Sequence, residues 1–137
     1  MIVLDTHALI WVVDGDARLG RTARAAIEEA ERADGVAVSA ITPWEITLLA
    51  DKGRLRLGSD AAVWINTVLD LPGVHLVPIE AAIAIDSVHL PGSFHADPAD
   101  RLIIATARYC RASLITADGA ILKYAAAGHV PVIDARR

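Results

Sequence analysis

The chain has 137 residues, a formal net charge of −4, 54% hydrophobic residues and 22% charged ones. That length suits one folding unit, so a single domain over residues 1–137 is expected, and so apolar a composition excludes a disordered chain. A helix crossing lipid needs about 20 apolar residues, whereas the longest stretches free of Asp, Glu, Lys and Arg are ten residues, in Gly35–Trp44, Ser87–Ala96 and Tyr124–Ile133. No membrane span is expected. No secretory signal is expected either, because Asp5 interrupts the start of the chain before an apolar core could form. The one cysteine, Cys110, can form no intrachain disulfide, which fits a reducing cytoplasm.

Apolar runs of strand length alternate with segments of helical period. Strands are expected at Ile2–Leu4, Val36–Val38, His75–Val77, Leu114–Thr116 and Val130–Ile133. Helices are expected at His7–Val13, Thr22–Ala33, Pro43–Lys52, Ala61–Leu69 (capped by Ser59 or Asp60), Ala81–Val88, Pro98–Arg111 and Gly119–Ala126. Strands separated by helices imply an α/β, three-layer sandwich around a central, mainly parallel sheet.

Ligands of such sheets bind beyond the carboxyl ends of the strands. Asp5 directly follows the first strand, Asp118 follows the fourth by one residue, and Glu45 begins the helix after the second. A further acid emerges from two similar helix starts, Thr42-Pro43-Trp44-Glu45 and Asp97-Pro98-Ala99-Asp100. In each, a capping residue precedes a proline suited to the first helical position, and an acid stands three residues after the cap. Each acid alone reads equally as a helix cap. As a set on one sheet edge, Asp5, Glu45, Asp100 and Asp118 repel one another and need cations or protons to coexist. Carboxylate oxygens without thiolates suit Mg²⁺ or Mn²⁺ rather than zinc. Thr6 and Thr116 stand beside the acids as hydroxyls able to orient a carboxylate, or as ordinary strand-end residues. His95 reads as loop structure, and the five histidines show no ligand spacing such as H-x-x-x-H.

The residues so described resemble PIN-domain ribonucleases of the VapC toxin type. The likeness rests on Met1–Trp11 (MIVLDTHALIW), on Ser39–Ile46 (SAITPWEI) with Lys52–Leu55 (KGRL), on His95–Ala105 (HADPADRLIIA), and on Leu114–Asp118 (LITAD). The four motifs stand in family order and cover the chain; Ala99 departs from the aromatic that the family often has there. The resemblance implies that Asp5, Glu45, Asp100 and Asp118 hold one or two Mg²⁺ or Mn²⁺ ions with Asp97 as a helper. It also implies an endoribonuclease, the toxin of a type II toxin–antitoxin module, with an RNA substrate, a cognate antitoxin and a homodimeric state. A divalent ion held there would polarise a phosphoryl oxygen and acidify water for in-line attack.

Charge is consistent with such a site. Without the four proposed ligands, the remaining 13 acids equal the 13 basic residues. Arg101 could reach the substrate backbone or serve a surface ion pair. Arg18, Arg21 and Arg24 form one candidate basic patch, Lys52, Arg54 and Arg56 another, and either could be a solvated face. Trp11, Trp44 and Trp64 suit the core, although tryptophan also favours interfaces. Two other readings remain: a receiver-like phosphoacceptor domain, and a non-catalytic binding domain whose acids are only caps.

Overall fold

A computed structural model describes residues 1–137. The chain runs β1 (Ile2–Leu4), α1 (Thr6–Asp14), α2 (Arg21–Glu31), β2 (Val36–Ser39), α3 (Ile41–Asp51), α4 (Ala61–Leu69), β3 (Val74–Val77), α5 (Ala81–Val88), α6 (Pro98–Cys110), β4 (Ser113–Thr116), α7 (Gly119–Ala125) and β5 (Val132–Asp134). The five strands form one parallel sheet in the order β3-β2-β1-β4-β5. The expected layering and every expected element are therefore present. The last strand starts two residues later than the periodicity indicated, because Pro131 has no N–H to give the ladder; its carbonyl instead accepts from the Leu114 N–H.

Alternation along the strands builds two cores. Ile2, Leu4, Val36, Val38 and Ile115 face Leu9, Trp11, Ile27 and Trp64 on one side of the sheet. Val3, Ala37 and Leu114 face Ile103, Ile104, Ala107, Ile121 and Tyr124 on the other. Because successive strand residues point to opposite faces, the central strands must be apolar on both, and all three residues of β1 are buried. Of the tryptophans, Trp11 and Trp64 belong to the first core, whereas Trp44 is 56% exposed.

The segment beyond β5 docks on the start of α2: the Gly20 N–H donates to Ala135 O (2.8 Å) and the Ala23 N–H to Arg137 O (2.8 Å). Gly20 is required by this approach, since a Cβ there would lie 2.2 Å from the Arg137 carbonyl carbon.

Ile104 is fully buried on α6, the helix that carries Asp100. Ile104→Ala is expected to lower unfolding free energy by about 2–5 kcal/mol through lost transfer energy and a residual cavity. Glu29→Ala, at an exposed position of α2, should stay within about 0.5 kcal/mol. Urea denaturation followed by far-UV circular dichroism measures both.

Candidate metal centre

Two acids are delivered directly by strand ends. Asp5 leaves β1 and caps α1, its Oδ1 accepting from the Ala8 N–H at 2.8 Å. Its Oδ2 accepts from the Thr116 hydroxyl at the end of β4. That same Thr116 oxygen accepts from the Asp118 N–H at 3.0 Å, while the Asp118 carboxylate caps α7 by accepting from the Ile121 N–H at 3.0 Å. One buried threonine thus ties Asp5 to Asp118 across two neighbouring strands. Both acids cap helices and both line the same cavity, so capping does not remove them from the site: a carboxylate oxygen that accepts one N–H keeps a lone pair for a cation.

On α3 the local expectation is corrected. Thr42 does not cap this helix. The chain turns into α3 immediately after β2, with Ala40 already helical and the Ser39 hydroxyl accepting from the Ile41 N–H (3.2 Å). Thr42 is consequently buried as the second residue of the helix, Pro43 occupies the third position, and Glu45 the fifth, beyond any capping box. Pro43 is still tolerated, since the first-turn N–H groups have no intrahelical partner. What orients Glu45 is the Thr6 hydroxyl, which donates its proton to Oε1, with Thr42 Oγ1 3.3 Å from the same Thr6 oxygen. On α6 the start is as expected: Asp97 caps by accepting from the Ala99 N–H (3.0 Å), Pro98 follows, and Asp100 lies in the first turn.

His95 lies in the loop before α6, as expected, yet it also reaches Asp100. His95 Nε2 stands 3.3 Å from Asp100 Oδ2, and His95, Asp100 and Asp118 offer ligand atoms all within 4.8 Å of one another. The Asp97 N–H donates to His95 Nδ1 (3.2 Å), so in the neutral ring the proton sits on Nε2 and points at Asp100. In that tautomer His95 orients the carboxylate rather than offering a lone pair of its own. Arg101 makes no ion pair; its guanidinium donates to the carbonyls of Ser87, Phe94 and His95, each at 2.9 Å. It clamps the loop that presents His95. Only the proximity of His95 to Asp97 and Asp100 in the sequence hinted at this role.

Asp5, Thr6, Glu45, Asp97, Asp100 and Asp118 line one open cavity of about 570 Å³ beyond the carboxyl ends of the strands. Asp5 and Glu45 lie outside the tight trio of His95, Asp100 and Asp118 but on the same cavity wall. Burial, and then the charges of Asp97, Asp118, Glu45 and Asp5, push the Asp100 carboxyl up to about 7. Burial also raises Asp5, against the lowering effect of the hydrogen bonds from Thr116 and Ala8. Within the cavity the only lysine or arginine side chains are Arg18 and Arg136, and neither pairs with these acids. The donor set, carboxylate oxygens in mutual repulsion, fits a hard divalent cation of the Mg²⁺ or Mn²⁺ kind.

A carboxyl held higher in the folded state than in the unfolded chain makes the folded state bind the extra proton. Without divalent ions, stability should therefore fall as pH rises from about 4 to about 7 through Asp100. Thermal unfolding in a chelator should show this fall flattened in Asp100→Asn, and Mn²⁺ should raise the wild-type midpoint more at pH 8 than at pH 5.5. Equal pH slopes for the two proteins would contradict a raised Asp100 carboxyl.

Comparison with known proteins accords with this geometry. The family model described as PIN domain matches residues 2–127. Ribonuclease VapC22 of Mycobacterium tuberculosis is 38% identical over 117 residues, covering 85% of this chain and 86% of that protein. A toxin–antitoxin complex from Klebsiella pneumoniae contains a chain similar at a TM-score of 0.64 and 26% identity, covering 98% of this chain and 97% of that one. VapBC2 from Rickettsia felis, bound to a DNA fragment from its promoter, matches at a TM-score of 0.69 and 16% identity, covering 97% and 98% of the two chains, a likeness of fold. With the family model spanning nearly the whole sequence and the acids gathered at the sheet edge, this chain belongs to the PIN domain family.

Proposed function

We propose that this chain is a Mg²⁺- or Mn²⁺-dependent endoribonuclease that hydrolyses RNA phosphodiester bonds. We further propose that it is the toxin of a type II toxin–antitoxin module, active in the cytoplasm and restrained by a cognate antitoxin. The observation that carries the reading is the convergence of Asp5, Glu45, Asp100 and Asp118 on one cavity in a PIN-family chain 38% identical to a ribonuclease. The toxin role rests on its likeness to chains of toxin–antitoxin complexes. No helix is long and apolar enough to cross a membrane, which is compatible with a cytoplasmic setting.

Asp5, Glu45, Asp100 and Asp118 would hold the cation. When bound, it supplies Lewis acidity, drawing charge from a phosphoryl oxygen and making water a better nucleophile at neutral pH. Thr116 and Thr6 fix the rotamers of Asp5 and Glu45 through their hydroxyls. His95 holds Asp100, and Asp97 both caps α6 and adds to the negative field that keeps Asp100 in need of a cation. Arg101 does not line the cavity and would support the reaction from behind, through the loop it clamps. A receiver-like reading finds no lysine at the cavity, since neither Lys52 nor Lys123 lines it.

A homodimer accompanies this proposal. Ile85 and Val88, three residues apart on α5, are 60% and 71% exposed, and adjacent exposed apolar side chains support a protein-facing surface. Val88→Asp should shift the wild-type dimer to a monomer in sedimentation velocity while leaving the circular dichroism spectrum unchanged; a wild type monomeric at high concentration refutes the dimer.

The activity itself is tested on total cellular RNA with Mg²⁺, Mn²⁺ or a chelator. Wild type should cleave only with a divalent ion, and Asp100→Asn should be slower by at least about a hundredfold. Cleavage that persists equally in the chelator, or in the variant, would overturn the assignment.

A further inference from the structure

Arg18 and Arg136 come from opposite ends of the chain and meet over one indole. Their guanidinium carbons lie 4.9 and 5.7 Å from the Trp11 ring centroid, and Trp11 itself is buried. All three residues line the acidic cavity. Both guanidiniums are held in place from behind. Arg18 donates from Nε and Nη2 to the Asp16 carboxylate (3.1 and 2.7 Å), and its backbone N–H donates to the same group (2.9 Å). Arg136 donates from Nη1 to the carbonyl of Ala117 (3.1 Å), the residue before Asp118. This leaves Nη1 of Arg18, and Nε and Nη2 of Arg136, without protein partners.

We propose that Arg18 and Arg136 form a phosphate-holding wall that grips the backbone of single-stranded RNA beside the bond being cut; this rests on the ribonuclease reading above. A cavity built from carboxylates repels the phosphates that flank the reacting one, and a cation among the acids offsets that charge less with distance along the strand. The guanidiniums on the same wall can meet those phosphates directly: Arg136 donates only to a carbonyl, and Arg18, although paired with Asp16, keeps Nη1 free. Their planar, pre-oriented donors match phosphate oxygens, and stacking on the indole restricts the side chains before the ligand arrives. Arg18 keeps 65% of its side chain exposed, so it stays open to a ligand while it stacks on the tryptophan. Of the basic residues grouped by sequence, none of Arg21, Arg24, Lys52, Arg54 and Arg56 lines this cavity. Both arginines are positioning residues and act on binding.

The test uses an Asp100→Asn background, so that a fluorescent single-stranded RNA stays intact, and measures anisotropy between 50 and 200 mM salt. Adding Arg18→Gln and Arg136→Gln should weaken binding at least tenfold and flatten the slope of log K against log salt by about 1.4, the expectation for two lost phosphate contacts at about 0.7 each. Arg18→Lys with Arg136→Lys should restore most of the slope. With Asp100 intact, the double Gln variant should raise KM while leaving kcat within about twofold. An unchanged slope and KM overturn the wall alone if wild type still cleaves RNA. A weakening that tracks a lowered melting temperature, and that Lys does not restore, also overturns it by assigning the pair a structural role. A wild type that neither binds nor cleaves RNA overturns the ribonuclease reading and the wall together.

Discussion

Like charges held close together are the constraint on which this molecule turns. Parallel pairing of β1 with β2 and with β4 sends Asp5, Asp118 and the helix bearing Glu45 toward the same edge, and α6 brings Asp100 into the gap. The Thr116 hydroxyl at the end of β4 relieves Asp5 in part. At Asp100, burial first and then the neighbouring charges hold the proton more tightly, and its carboxyl stands near 7. A fold that tolerates this without a divalent ion gives up some stability to keep the acidic pocket proposed here as a cation trap, the exchange seen where function and stability compete.

The hydroxyls are what keep that trap ordered. Thr6, Thr42 and Thr116 are each almost fully buried, and between them they contact Glu45, Asp5 and the backbone of Asp118. A hydroxyl offers one proton and accepts others, so Thr116 can steady an acid on one side and a backbone N–H on the other. Behind Asp100, support passes from Arg101 to the carbonyls of the loop and from the loop to His95. Positioning of this outer kind commonly sets how well the inner groups hold a metal.

Strand ends were legible in the sequence because two-sided burial leaves short β-branched runs that polar residues terminate abruptly, so Asp5 and Asp118 declared themselves. Asp97-Pro98-Ala99-Asp100 was legible for its cap and first-turn proline. The matching reading of Thr42-Pro43-Trp44-Glu45 failed because a tertiary bond from Thr6 and an early turn at Ala40 outweighed the local capping pattern. His95 was opaque for a related reason: its place beside Asp100 depends on the loop path that Arg101 fixes from the next helix. The pairing of Arg18 with Arg136 lies furthest from local pattern, since it requires the segment after β5 to fold back onto α2 through Gly20.

Strand order carries a consequence for how such a protein comes into being. The middle strand, residues 2–4, is made first, yet one of its neighbours, residues 113–115, follows more than a hundred residues later. Synthesis proceeds from the amino end, and contacts so distant in the chain form slowly. While still emerging from the ribosome, the polypeptide has its oldest strand open on one flank and lacks both Thr116 and Asp118. An RNA-cutting machine arranged in this way stays unassembled beside the very RNA that encodes it until its fourth strand has emerged.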